Sequence, residues 1–368
     1  MLTPTDETEL AEALRTAQAP LSVRGGNTRG MAGAGEPLSV AAICGVRLYE
    51  PGALTVVAAA GTPLAGLEAE LAAEGQRLAF EPMDHRGLLG TGGEPTIGGV
   101  VAANVSGPRR VQVGAARDFL LGLRFVDGAG TVIKNGGRVM KNVTGYDLAR
   151  LVAGSRGALG VITEVALKVL PRPEAAATIT IEVPDAAAAV SALSAALGSP
   201  YDVTGAAYWP GRGALVRIEG FAGSVAYRAR ELERLLAPAG AVSVESDADA
   251  VAALWRDIRD VAPFQGKAGD VWRLSVKPSD APGLAARLEA ESLLFDWGGG
   301  LIWALLPEGT DARARLGPFA GHATLMRAAP ETRARIATLQ PQQPAVEALV
   351  TGLRARFDPR GLFAGAAA

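Results

Sequence analysis

Pro95-Thr96-Ile97-Gly98-Gly99-Val100-Val101-Ala102-Ala103-Asn104-Val105-Ser106-Gly107-Pro108-Arg109-Arg110 is the stretch on which the reading of this chain turns. Small residues over such a length let a backbone approach a large planar ligand closely, where ordinary side chains would stand in the way. From Gly87 to Gly107 there are seven glycines and no clear helical or strand period. Ile97, Val100, Val101, Ala102 and Ala103 sit among them, so the segment reads as ordered loop rather than linker.

Working outward, a strand at Leu21-Ser22-Val23 runs into Arg24-Gly25-Gly26-Asn27-Thr28-Arg29-Gly30. Adjacent glycines turn successive backbone N–H groups toward one point, a nest suited to phosphate, and Arg24 and Arg29 add positive charge. This is neither the Gly-x-Gly-x-x-Gly fingerprint nor a Walker loop, and taken alone it is an ordinary turn. Downstream come Lys141-Asn142-Val143-Thr144-Gly145-Tyr146-Asp147 and then Gly154-Ser155-Arg156-Gly157-Ala158-Leu159-Gly160-Val161-Ile162-Thr163-Glu164. Three glycine-rich loops between strands fit a dinucleotide held by backbone rather than by one helix end.

Around these loops, Asp6-Glu7-Thr8-Glu9 opens a short helix, and Thr62 to Glu74 places Leu64, Leu67 and Leu71 on one helical face. Leu120–Asp127 and Gly130–Lys134 read as a hairpin, and Leu159–Leu170 as a strand ended by Pro171 and Pro173. Beyond those prolines, strands (178–183, 214–219, 271–276, 301–306) alternate with Ala-rich helices (185–197, 224–236), which suits an α+β sandwich with helices on one face. A last helix runs from Ala345 to Phe357.

The 368 residues exceed one small core. Thirty-six basic against 38 acidic residues leave no surplus to neutralise a phosphate backbone, so no nucleic acid is expected as partner. Two histidines, His85 and His322, cannot build a three-histidine metal site, and no metal is expected. Cys44, the one cysteine, excludes an intrachain disulfide and an iron–sulfur cluster held by this chain alone. Its apolar run, Ser39 to Cys44, reads as a strand with a buried thiol. No transmembrane stretch or signal peptide is legible, so the protein is expected to be cytoplasmic, with peripheral attachment to the inner face of the membrane through partners left open.

Residues 20–172 resemble the FAD-binding domain of the vanillyl-alcohol oxidase / p-cresol methylhydroxylase (PCMH) superfamily. From Thr96 through Pro173 the chain is similar to the FAD-binding E subunits of bacterial glycolate oxidases. The resemblance rests on Thr-Ile-Gly-Gly-Val-Val-Ala-Ala (96–103), Ser-Gly-Pro-Arg-Arg (106–110), Ala-Arg-Asp-Phe-Leu-Leu-Gly (116–122) and Gly-Gly-Arg-Val-Met-Lys-Asn-Val-Thr-Gly-Tyr-Asp-Leu (136–148). It extends more loosely to Trp272-Arg273-Leu274-Ser275, Asp296-Trp297-Gly298-Gly299 and Gly321-His322-Ala323-Thr324-Leu325. It implies an α+β fold: a PCMH-type FAD-binding domain of two subdomains (1–172), a ferredoxin-like α+β cap (173–340), and a C-terminal helix and tail (341–368) returning to the FAD domain.

By this resemblance Arg24, Gly25, Gly26, Asn27, Thr28 and Arg29 form the pyrophosphate loop, with Gly26 at positive φ against the phosphate oxygens. Thr96, Ile97, Gly98, Gly99, Asn104, Ser106 and Gly107 line the flavin and its arms. Asp118 bonds the adenosine side, and Val161 and Ile162 pack near a ring. Relatives with covalent flavin carry a histidine where this chain has Asn27-Thr28, so FAD is expected to be non-covalent. The end, Leu362-Phe363-Ala364-Gly365-Ala366, departs from the family's Phe-Asn-Pro-Gly-Arg.

Oxidation of a small 2-hydroxy acid needs a base, a cation for the carboxylate and a hydride acceptor. His322, Arg273 and Tyr146 are the candidates for catalysis, each with a structural alternative: a packed histidine, an ion-paired arginine, a turn residue. Trp297 reads as a core residue over a turn. The resemblance implies partners: a second FAD-binding catalytic subunit, whose cap brings a histidine- and glutamate-rich metal site, and an iron–sulfur subunit. Three readings stand: an FAD-binding subunit that relays electrons or completes a partner's site, a stand-alone FAD-dependent glycolate or D-lactate dehydrogenase, and a structural subunit without flavin.

Overall fold

The computed structural model describes residues 1–30, 33–138 and 145–363. Asp6 caps helix α1 (Glu7–Thr16), its carboxylate accepting from the Glu9 N–H at 2.8 Å, and Leu10 and Leu14 enter the core from one face. Strands β1 (Leu21–Arg24) and β2 (Glu36–Ser39) pair in parallel. Next come β3 (Val46–Glu50), β4 (Thr55–Ala59) and helix α2 (Leu64–Ala73), which buries Leu64, Leu67 and Leu71 as its spacing predicts. Helix α3 (Ile97–Ala102), strands β5 (Leu120–Val126) and β6 (Val132–Gly136), helix α4 (Leu148–Val152) and strand β7 (Val161–Lys168) follow. Strands β3 to β7 form an antiparallel sheet in the order β3-β4-β7-β5-β6. The expected hairpin is β5–β6, with Asp127 Oδ1 accepting from Ala129 and Thr131 in its turn.

The quoted glycine-rich stretch contains α3, which local propensity does not favour. Thr96 caps it through Gly99, and Gly98 lets it lie on Ala60, where a Cβ would come within 2.5 Å of the Ala60 Cβ. Tertiary contact, not period, makes this helix. Cys44 is a second correction: β2 ends at Ser39, and the thiol is exposed in the turn that follows.

After Pro173 the chain builds one sheet from β8 (Ala175–Ile181), β9 (Val203–Trp209), β10 (Gly213–Gly220), β11 (Val242–Glu245), β12 (Asp270–Val276), β13 (Ser292–Asp296), β14 (Leu301–Leu306) and β15 (Gly321–Arg327). The order is β11-β8-β10-β9-β13-β14-β12-β15, antiparallel throughout. The four strands expected from sequence are present, and four more double the sheet. Strand β9 escapes a propensity reading because its middle is Gly205-Ala206-Ala207; Gly205 leaves room for Trp255, whose ring would stand 2.6 Å from a Cβ there.

Helices α5 (Ala186–Leu197), α6 (Ala222–Leu236), α8 (Ala281–Leu288) and α9 (Ala312–Leu316) cover one face of this sheet. Helix α7 (Ala248–Arg259) departs from the one-face expectation, laying Val251, Trp255 and Ile258 on Ala207 and Leu215 of the opposite face. The rest of that face rests on the first domain through Met83, Leu88, Phe264, Leu294, Trp303 and Met326. Helix α10 (Pro344–Phe357) leads to a tail whose Leu362 and Phe363 are buried beside Leu10, Leu14 and Leu21. Asp358 accepts from both their N–H groups, and Arg360 donates to the carbonyls of Leu14, Arg15 and Ala17. Ala364-Gly365-Ala366, where the sequence departs from its relatives, lies outside the described residues. Among the described residues no helix is long and apolar enough to cross a membrane.

A buried ionic cluster locks the sheet to the first domain. Arg109 donates to Glu219 at 2.7 and 2.8 Å, Arg217 to Glu81 at 2.8 and 2.9 Å, and Arg77 to Glu219 at 2.8 Å. Burial alone would raise the Glu219 carboxyl, but Arg217, Arg109 and Arg77 outweigh it and hold it well below its usual range. A depressed carboxyl stabilises the fold above its unfolded value near 4.5 and loses that contribution as pH falls below it. Glu219→Gln is therefore expected to destabilise the protein at pH 7 by about 3–5 kcal/mol, since it strands buried guanidinium groups. Thermal unfolding checks this: the gap between variant and wild type should narrow on acidification from pH 6 to pH 3. Equal melting temperatures at pH 7 would show that the cluster does not hold the domains.

Candidate active site

Two cavities abut at the domain junction. The smaller, about 150 Å³, lies wholly in the first domain, between the Arg24–Gly30 loop, α3 and the turn leading into β7. The larger, about 350 Å³, lies between the end of α3 and the second sheet. They share Arg29, Ala103 and Arg156, so one elongated ligand can run through both.

The loop floor is built by close backbone approach. A Cβ on Gly26 would fall 1.5 Å from the Glu94 carbonyl oxygen, and one on Gly93 would fall 2.1 Å from that of Gly26. The glycines let these two strands of loop lie back to back. Positive φ belongs to Asn27 (53°), Asn104 (49°) and Arg156 (55°), all of them lining residues held in the left-handed region. Such conformations persist where surrounding structure over-determines them, often at ligand sites.

The roof follows from strand alternation. Trp272, Leu274, Ile302, Ala304, Ala323 and Leu325 point into the helix-side core, which turns Arg273, Ser275, Trp303, His322 and Thr324 toward the cavity. The Trp297 ring completes it, 4.6 Å from Arg110 and 5.2 Å from Arg273, with its indole N–H donating to the Gly107 carbonyl at 3.1 Å. Trp297 also has positive φ (54°), held by a 2.7 Å bond from its N–H to Asp296.

The electrostatics suit an anion. Burial brings Arg29 and Arg273 down to about 10, so both stay charged at neutral pH. No salt bridge to Arg29, Arg156 or Arg273 is formed among the described residues. Burial pushes Asp296 up to about 7, against the pull of the Trp297 N–H and Arg217, so the cavity's one carboxyl is largely protonated below neutrality. Burial, then Arg273 and Arg156, lowers His322. Burial, then Arg29, pushes His85 down to about 3.

Of the residues expected at the cofactor, Arg24, Gly25, Gly26, Asn27, Thr28, Arg29, Thr96, Gly98, Gly99, Val161 and Ile162 line the smaller cavity, and Asn104, Ser106 and Gly107 the larger. Arg273 and His322 line the larger cavity too. Four expectations are corrected. Ile97 is fully buried in the first domain's core, because α3 turns it away from the loops. Asp118 is exposed and accepts from the Ala115 N–H at 2.8 Å, closing a turn rather than reaching a cavity. Tyr146 lines neither cavity and is 88% exposed. Gly26 is required by the Glu94 carbonyl and not by positive φ. The Lys141-Asn142-Val143-Thr144 part of the third loop lies outside the described residues. Sequence reasoning passed over Arg156, His85 and Asp296 as site residues, and placed Trp297 in a core. An arginine inside the Gly154–Gly160 loop was the available signal for the first.

FAD fits this ground on two counts. Arg29 Nε and Arg156 Nη1 are buried at the junction without a partner, as donors awaiting a pyrophosphate would be. The glycine floor beside them leaves backbone, not side chain, facing the ligand.

Comparison with known proteins agrees with this geometry. Residues 1–136 match the model of the FAD binding domain family. The chain is 40% identical to the glycolate oxidase subunit GlcE of Escherichia coli over 288 residues, 77% of this chain and 75% of that protein. A D-lactate dehydrogenase of Archaeoglobus fulgidus is 30% identical over 49% of this chain and 41% of its own. Alkyldihydroxyacetonephosphate synthase shares the fold, with a TM-score of 0.71 over 99% of this chain and 76% of that one, at 16% identity. The matched family and the Escherichia coli relative thus define a flavoprotein oxidoreductase component with an FAD-binding domain. The chain belongs to the family of glycolate oxidase E subunits.

Two substitutions test the site. Ala103→Phe fills the junction of the cavities from a half-buried position, and FAD content is expected to fall below about a tenth of wild type while apoprotein unfolding stays unchanged; an FAD-replete variant would place the ligand elsewhere. A carboxyl raised by burial lowers stability as pH rises from its unfolded value through its folded one, so Asp296→Asn should raise the melting temperature at pH 8 and leave it unchanged at pH 4. An equal effect at both pH values would mean that Asp296 does not titrate as described.

Proposed function

We propose that this chain holds FAD non-covalently through the two abutting cavities and serves as a subunit of a complex oxidising glycolate to glyoxylate. The observation that carries the reading is the unpaired cationic lining around Arg29, Arg156 and Arg273, continuous from the glycine loops to the cap. In this reading Arg29 and Arg156, with the Arg24–Gly30 backbone, hold the pyrophosphate. Gly98, Gly99, Asn104, Ser106 and Gly107 lie along the flavin and its arm. When bound, FAD supplies a two-electron acceptor.

Arg273, with the Trp297 and Trp303 rings at 5.2 and 5.9 Å, orients a carboxylate at the cap end. His322 stands at the cavity rim on β15, paired in register with Ser275, two residues along β12 from Arg273. Below neutrality Asp296 is largely protonated and leaves that positive field uncancelled. The loop chemistry supports non-covalent binding, since Asn27 and Thr28 offer no imidazole to the flavin. Electrons leaving this site need a carrier beyond the chain, whose one cysteine cannot hold a cluster. A second flavoprotein and an iron–sulfur subunit would meet that need. A stand-alone dehydrogenase is the competing reading, favoured by the presence of both a carboxylate-binding arginine and an imidazole in one cavity.

Acid precipitation of the purified protein is expected to leave FAD in the supernatant, and flavin retained in the pellet would contradict non-covalent binding. In anaerobic stopped flow the isolated holoprotein should reduce slowly with glycolate, turnover with an artificial acceptor returning when partner subunits are added. Reduction of the isolated chain at the turnover rate of the complex would instead establish the stand-alone enzyme.

A further inference from the structure

The chain has two histidines, and both line the same cavity from opposite walls, 237 positions apart in sequence. His322 sits on the cap strand β15, its side chain at the accessible edge. His85 enters from the first domain, just ahead of the short helix Arg86–Leu89, and is buried. We propose that His85 recognises the hydroxyl of the 2-hydroxy acid, its free ring nitrogen accepting the hydrogen bond that distinguishes a hydroxy acid from a plain carboxylate. This rests on the reading of the larger cavity as the site of such an acid.

The geometry leaves His85 little else to do. Its sequence neighbour Asp84 is engaged by Arg86, at 2.7 to 3.1 Å through both carboxylate oxygens, and among the described residues no hydrogen bond joins a carboxylate to the imidazole. The Met83 backbone carbonyl favours the protonated ring, but burial outweighs it. A neutral imidazole carries one N–H and one lone pair, so one ring nitrogen is an acceptor. Arg29 and Arg273 are the near cations; with Arg29 given to the pyrophosphate, Arg273 is the one that suits the acid's carboxylate. A 2-hydroxy acid carries its carboxylate and hydroxyl on adjacent carbons, so an arginine and an imidazole acceptor side by side match it.

Burial, Arg29 and Arg273 hold the ring neutral, against the Met83 carbonyl and Asp84. The other titratable groups around this cavity are Arg110, Arg117, Arg156, Arg259, Asp296 and His322. An acceptor that stays neutral from pH 5 to pH 8 recognises a hydroxyl throughout, whereas an ordinary histidine would become a pure donor below its value of 6.5.

The test compares glycolate with acetate, which lacks only the hydroxyl, by anaerobic titration calorimetry on the FAD-loaded chain reduced with dithionite, so that neither acid is oxidised. Wild type is expected to prefer glycolate. His85→Leu and His85→Phe both remove the acceptor, and the one that retains FAD should lose about tenfold of that preference while binding acetate unchanged. His85→Asn, which restores an acceptor, should recover part of it. The wild-type preference should be flat from pH 5.5 to pH 8. Equal weakening of both acids, an unaltered preference, or loss of FAD from both apolar variants would overturn the role of His85 alone. Binding of neither acid to FAD-loaded wild type would overturn the reading of the cavity itself.

Discussion

Five charged side chains buried between the two domains constrain everything else: Arg77, Glu81 and Arg109 below, Arg217 and Glu219 above. Arg109, Arg217 and Glu219 are each no more than 7% exposed. Desolvating such groups is expensive, and mutual attraction repays it only when partners meet in good geometry. The cluster therefore tolerates few relative placements of the second sheet. Arg217 adds a stacking contact at 4.6 Å over Trp255, the side chain that α7 lays on the sheet's underside. The tail supplies a further tie within the first domain, through Asp358 and Arg360.

Fixing the sheet fixes the roof of the larger cavity. Strand alternation then decides which residues face down, and a shift of one position would exchange Arg273 and His322 for Trp272 and Ala323. The register Arg273↔Thr324 and Ser275↔His322 keeps cation and imidazole on the same side. Trp297, strained and pinned by Asp296 and Gly107, holds Arg110 and Arg273 near its faces. The strain sits beside the unpaired Arg273, and Asp296, which burial keeps largely protonated below neutrality, accepts from the Trp297 N–H in the same turn.

The smaller cavity has a different logic. Its shape comes from glycines packed against backbone: Gly26 on Glu94, Gly93 on Gly26, Gly98 on Ala60. Side chains are withheld so that loops can nest, and the two orphaned guanidinium nitrogens at Arg29 and Arg156 are the polar groups the nest leaves unsatisfied. A cofactor held in this way depends on loop packing as much as on direct contacts, and substitution at Gly26 disturbs the loop before it meets a ligand.

Local chemistry made much of this legible in advance. Asp6 and Asp185 cap the helices read from sequence through N–H groups three residues on. Glycine-rich loops flanked by β-branched runs announced a nucleotide held by backbone, and Pro171 and Pro173 marked the change of style. Contacts between distant positions were not legible. Helix α3 exists because Gly98 meets Ala60, and β9 is a strand because Trp255 needs Gly205 beneath it. Ile97, Asp118 and Tyr146 belong to motifs that surround the site, yet their side chains turn elsewhere. By itself the sequence determined the class of ligand and picked out the glycine-rich loops, since glycine content and capping act within a few residues. Tertiary structure alone decided that Arg29, Arg156 and Arg273 converge and that His85 and His322 line one cavity, because those meetings depend on how a buried ionic cluster seats one domain on the other.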